Sequence, residues 1–325
     1  MKLFSQSILV QAAVIVAVMA LLWWGDLAAP AAMTADGGAV LYGVVARWLA
    51  PLPLLAVILA MVLILAEGVA LNLMLADHGL TPPNSMLPTL LYVVAMSAAA
   101  NTLTPMILAA AMLVACTRQL LLKGPLLTIS TEQACTATAF IGLASLFYLP
   151  AVMMMVGYLL VAVNYRLYSW KDWAVLFLGF LSSYVLLLTV LMFTEGIGEW
   201  WQSVVDTIDA VRLHVGEFTT LQALGNAVML AVMVAGVVSV WRLSGERTVV
   251  WQKNAATMLS CLFGAVAMLF VTRLFTADMQ PFAAAFAFCV TCLLTPPVHT
   301  MGRKRRHEWI YVSLLILTII AAMIC

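Results

Sequence analysis

Apolar runs of membrane length recur along this chain, and they leave it little choice of fold. They lie at 7–24, 49–75, 85–101, 105–122, 134–148, 151–165, 173–193, 221–240, 256–272, 281–295 and 309–324. A helix needs about 20 residues to cross a bilayer, somewhat fewer where neighbours thin it. The residues are 65% hydrophobic and 9% charged, against about 25% charged in a soluble domain. The expected fold class is therefore all-α: a polytopic transmembrane helical bundle of about eleven spans. No small-residue cleavage site closely follows the first run, which is expected to be retained as a helix.

The shortest two runs flank Tyr148-Leu149-Pro150. Whether Pro150 kinks one helix or turns a hairpin sets the sidedness of everything after it. The positive-inside rule decides. With a hairpin and a cytoplasmic N-terminus, all but Arg47, Arg212 and Arg273 of the 15 Lys and Arg fall on the cytoplasmic side. With a kink, Arg242, Arg247, Lys253 and the 303–306 basic cluster move outside and the bias is lost. The hairpin is expected, with the N-terminus cytoplasmic and the C-terminus outside.

Two outer loops carry helical patterning. In 25–48, Val40, Leu41, Val44, Val45 and Trp48 recur at helical spacing, and Thr34 or Asp36 is placed to cap the helix start. In 194–220, Trp201, Val204, Val205, Ile208, Val211, Val215 and Phe218 form one stripe. Both read as amphipathic helices lying on the outer face. Three parts follow: a seven-span module at 1–193, the outer helix loop at 194–220 and a four-span module at 221–325. Ser130-Thr-Glu-Gln133 reads as a helix cap opening the fifth span.

Chemistry-bearing residues are few. Glu67 is the only acid inside any span; an intramembrane carboxylate is costly and so a functional candidate. Asn72, Asn101 and Asn226 are the other polar groups that would line a path through the bundle with it. His214 stands alone in the second outer loop. Cys289 and Cys292 have redox or metal spacing, but they sit in an apolar run without neighbouring His or acid and read as buried thiols. No metal site is expected, and nucleotide-binding, zinc-protease and serine-hydrolase motifs are absent. No cofactor and no nucleic-acid partner are expected; membrane lipids are. The basic cluster at 303–306 suits anionic head groups.

The segment GLASLFYLPAVMMMVGYLLVAV, followed by YSWKDWAVLFLGFLSSYVLLL, resembles the short helix pair, basic elbow and seventh span of the GT-C fold glycosyltransferases. The placement of both outer loops is similar too. ALNLMLADHGLTPPNSMLPTLLYVVAMS and LASLFYLP carry a more specific likeness to an uncharacterised bacterial polytopic inner-membrane protein family. The GT-C resemblance implies a polyprenyl-phosphate-linked sugar donor used at the periplasmic face. It implies a first-loop acid as base, for which Asp26 and Asp36 are the candidates. Arg212 or Arg273 would hold the lipid phosphate, since guanidinium matches phosphate geometry. The first loop is shorter than usual in those enzymes, and Asp26 lacks an acidic pair. Two alternatives stand beside the enzyme: a transporter or flippase of a lipid-linked substrate, and a non-catalytic membrane subunit of an envelope assembly with membrane-protein partners.

Overall fold

The computed structural model describes residues 8–31, 39–82, 85–98, 100, 102–122, 128–167, 169–194, 197–209, 220–272 and 280–294. Among them are helices and no strand. In chain order these are α1 (Ile8–Leu22), α2 (Trp24–Ala28), α3 (Val40–Leu49), α4 (Pro53–Asp77), α5 (Leu87–Ser97), α6 (Pro105–Leu120) and α7 (Thr131–Phe147). A 3-10 turn (Leu149–Met153) leads to α8 (Met154–Asn164), α9 (Trp170–Thr194), α10 (Ile197–Asp209), α11 (Thr220–Ser244) and α12 (Val249–Thr272). A second 3-10 turn (Gln280–Phe282) opens α13 (Ala283–Leu294). Three stretches are long and apolar enough to cross a membrane: Pro53–Asp77, Trp170–Met192 and Ala227–Ser244. α1, α5, α6 and α13 are shorter apolar helices.

The chain reverses at Pro150. α7 opens on the expected capping box: Ser130 accepts from the Gln133 N–H, and the Gln133 side chain accepts from the Ser130 N–H. It closes at Phe147, because in a continued helix Pro150 would have no N–H to give the Leu146 carbonyl and its ring would clash with that carbonyl. The 3-10 turn then sends α8 back. Tyr158 of α8 donates to the carbonyl of Ala134, at the start of α7, across 3.3 Å. In one continuous helix those residues, 24 apart in sequence, would be separated by about 36 Å.

Neighbouring helices then fall into place at glycine seams. α8 runs antiparallel against α12, where a Cβ on Gly157 would fall 2.5 Å from the Ser260 carbonyl oxygen. α9 runs parallel to α7, where a Cβ on Gly142 would fall 2.7 Å from the Phe180 carbonyl oxygen. Without a hydrophobic drive between apolar helices, such close backbone approach is a main source of contact energy. The core is α5. Ten of its residues, Leu87 to Met96, are buried, so it is covered on all sides, and α1, α4 and α13 supply most of the cover.

The two ends of the bundle are separately fastened. At the lower end, where α4, α6 and α8 finish, the Asn254 side chain binds both backbone polar groups of Leu122. There too the Tyr165 hydroxyl reaches the Leu120 carbonyl at 3.1 Å and the Thr257 hydroxyl at 2.9 Å. At the upper end, Trp23 donates to Ser97 Oγ, Tyr42 donates to the Leu103 carbonyl, and the Gln280 amide joins Met96 to Thr104. The described basic residues segregate accordingly. Arg118, Arg166, Lys171, Arg242, Arg247 and Lys253 lie at or next to the lower ends of α6, α8, α9, α11 and α12, while Arg47 lies on α3 at the upper end.

α3 forms where the spacing of its apolar residues places a helix, but its start differs from expectation. Neither Thr34 nor Asp36 is its N-cap. That position is Ala39, with no side-chain bond. Ala39 donates its N–H to the carbonyl of Phe147 instead, which pins the helix start to the top of α7.

Candidate functional site

Three places hold polar or accessible chemistry. The first is the upper end, where α3 and α10 meet over α7 and α9. Val40 and Leu41 of α3 and Trp200 of α10 pack around Leu146, Leu187 and Leu191. A cleft there is lined by Ala39, Val40, Ser145, Leu146, Leu149, Tyr184, Trp200 and Val204, with a volume of ≈ 10 Å³, about enough for one water. Ser145 donates to the Gly142 carbonyl at 2.6 Å, so Tyr184 supplies the proton of the 2.7 Å bond between the two hydroxyls. On α10, Trp200 and Val204 turn inward, whereas Trp201 and Val205 are exposed. On α3, Tyr42 and Ala46 turn inward, and Val44 and Trp48 are exposed. Val40, Leu41 and Val204 of the apolar stripes named from sequence face the bundle, while Val44, Trp48, Trp201 and Val205 of the same stripes are exposed.

Asp26 is also at this end, in the first turn of α2, and half-buried. Partial burial penalises its charged form and raises its pKa. α2 packs against α4.

The second place is inside the bundle. Glu67 of α4 is 5% exposed. One carboxyl oxygen accepts from the Tyr92 hydroxyl of α5 at 2.8 Å, and the other is buried with no hydrogen bond. The approach is close because Gly68 lets α4 settle against Thr89, whose hydroxyl donates to the Gly68 carbonyl at 3.1 Å. Asn72 is buried one turn further on, with its side-chain oxygen unbonded. Neither residue lines the upper cleft or the cavity described next.

The third place is at the lower end. A cavity of ≈ 500 Å³ is lined by His78, Ala115, Arg118, Gln119, Leu121, Leu122, Thr128, Gln133 and Phe140. Its position follows from where elements stop. α4 ends at Asp77 in a left-handed Gly79, with Leu80 donating to the Leu75 carbonyl. α6 ends at Leu120, and α7 starts at Thr131.

Of the residues singled out from sequence, the structure places Asp26 at the upper end and Glu67 in the interior, and does not bring them together. Asp36, Asn101, Arg212, His214 and Arg273 lie outside the described residues, as does the side chain of Asn226. Cys289 and Cys292 are buried in α13. Sequence reasoning missed Tyr92, the Ser145–Tyr184 pair and the lower cavity. The signal for Tyr92 was a hydroxyl inside an apolar run; only knowledge of helix neighbours could have matched it to Glu67. Among the described residues no three His, Cys, Asp or Glu side chains group to hold a metal.

Compared with protein-family models, curated proteins and solved structures, the chain shows no match.

Proposed function

We propose that the chain is a multi-pass protein of the bacterial inner membrane, with about eleven crossings, a cytoplasmic N-terminus and a periplasmic C-terminus, and that its upper end is the working face. There it handles a polyprenyl-phosphate-linked sugar in the manner of the GT-C glycosyltransferases. The observation that carries this reading is the reversal at Pro150. It puts α3 and α10, which belong to the two outer loops, at one end of the bundle and in contact with the same residues of α7 and α9. In this reading Asp26 or Asp36 takes the proton of the acceptor hydroxyl. Partial burial keeps Asp26 a better proton acceptor than an ordinary aspartate. Arg212 and Arg273 hold the lipid phosphate, and α3 and α10 lie on the membrane surface with Trp48 and Trp201 towards lipid.

The test is a strain lacking the native chain, complemented with Asp26→Asn or Asp36→Asn and scored on its lipid-linked sugars. Loss of one sugar-modified product in either variant, with normal protein level, supports the enzyme. A wild-type lipid profile in both removes the first-loop acid mechanism.

A second reading, passage of a lipid-linked substrate across the bilayer, is favoured by Glu67, whose second carboxyl oxygen is buried and unbonded. Glu67→Gln separates the two. It abolishes transport in that reading and leaves a transferase at the upper end intact.

A further inference from the structure

We propose that the ≈ 500 Å³ cavity at the lower end binds an amphiphile with a phosphate head, the head at Arg118 and the apolar part along α7. This stands apart from the upper-end reading and needs no catalysis. The volume lies within the roughly 300–1,000 Å³ of small-molecule pockets. The side chains of Arg118, Gln119, Thr128 and Gln133 can each donate a hydrogen bond into it, and His78, also in the lining, bonds through Nδ1 to the Met74 carbonyl. The side chains of Arg118, Gln119 and Thr128 make no hydrogen bond or ion pair with any described residue. Gln133 has its amide oxygen committed to the cap of α7, which leaves the amide nitrogen. Asp77 and Glu132 are near in sequence, but among the described residues no carboxylate lines the cavity. Donors around one guanidinium are matched by an anion; Arg pairs two-fold with carboxylate and phosphate alike, and phosphate has the further acceptor oxygens to meet the neighbouring donors as well.

The rest of the lining is apolar: Ala115, Leu121, Leu122 and Phe140. Gln133 and Phe140 are seven residues apart on α7, about 10 Å. The cavity therefore runs from a polar mouth to an apolar recess, which suits a head and chain better than a free anion. Its mouth is at the basic end of the bundle. Should that end face the cytoplasm, it meets the leaflet surface that is negatively charged.

The experiment uses the purified full chain in a neutral detergent and follows thermal unfolding against added short-chain phosphatidic acid, short-chain phosphatidylcholine or inorganic phosphate. Phosphatidic acid is expected to raise the melting temperature in a saturable way and the other two are not. Arg118→Gln should weaken that binding by about ten-fold or more, and Gln119→Leu, which keeps the charge, by less. Arg242→Gln, a basic residue on α11 away from the cavity, should bind as the parent does. An equal shift with phosphatidylcholine would show that the head group is not read, and a shift with inorganic phosphate alone would make this a site for a soluble anion; either overturns the proposal. So does undiminished binding by both Arg118→Gln and Gln119→Leu. If Arg118→Gln does not fold, Gln119→Leu and Thr128→Val carry the test, and parental affinity in both sinks it.

Discussion

Asn254 holds Leu122 by both of its backbone polar groups: Oδ1 accepts from the Leu122 N–H at 2.8 Å and Nδ2 donates to the Leu122 carbonyl at 3.1 Å. Leu122 is past the end of α6, where helical bonding has run out, and Asn254 is wholly buried. One amide thus replaces the two partners a strand would have given. Asn254→Leu strands both groups away from water, at about 1–3 kcal/mol each. We expect a loss of about 2–5 kcal/mol in stability, measured by thermal unfolding in detergent; a loss below about 1 kcal/mol would mean water reaches Leu122.

Tyr92→Phe removes the hydrogen bond that Glu67 accepts in the interior. The carboxyl is then buried without a described partner, so a loss of about 1–3 kcal/mol is expected. Glu67→Leu with Tyr92→Phe should cost less than the sum of the single changes, because each removes the same bond. Additive losses in the four-member cycle would show that the two side chains do not interact.

At Gly157 a methyl group has nowhere to go, with the Ser260 carbonyl 2.5 Å and the Gly264 Cα 3.0 Å from its position. Gly157→Ala should push α8 off α12 and cost about 1–3 kcal/mol. Gly43 of α3 has open space around it, so Gly43→Ala should gain roughly 0.5–1 kcal/mol from helix propensity. Opposite signs in parallel melts check the seam; two neutral changes would deny it.

Arg166 has φ 57, the only positive-φ non-glycine among the described residues. It closes α8 with two carbonyl bonds, Arg166 N–H to Val163 and Leu167 N–H to Ala162, the arrangement that ordinarily selects glycine. Arg166→Gly should stabilise the chain by about 1 kcal/mol. A destabilised variant would show that the Arg166 side chain does more for the elbow than its backbone costs.

Much of the helical layout was legible because apolar length and proline position act locally. The break was readable from Pro150, and the segregation of Lys and Arg resolved it as a reversal rather than a kink. The cap at Ser130 was readable because its partners are three residues apart. Glu67 could be singled out as costly, but its partner could not: Tyr92 is 25 residues away, and apolar helices carry little mark of which neighbour they meet. The start of α3 was misplaced for a similar reason. Its anchor, the Phe147 carbonyl, belongs to a distant helix. The lower cavity was invisible because it is bounded by the points where two helices end and a third begins.

The sheathing of α5 has a consequence for how the protein is made. Gln280 bonds the Met96 carbonyl and α13 covers one side of α5, so the central helix leaves the ribosome long before its last cover exists. At about 5–20 residues per second, the intervening chain takes roughly 10–40 s to synthesise. Through that interval the flank of α5 that α13 covers has no cover from that part of its own chain. A chain cut short before α13 would keep that flank bare, giving the cell a physical mark by which to tell an unfinished copy from a finished one.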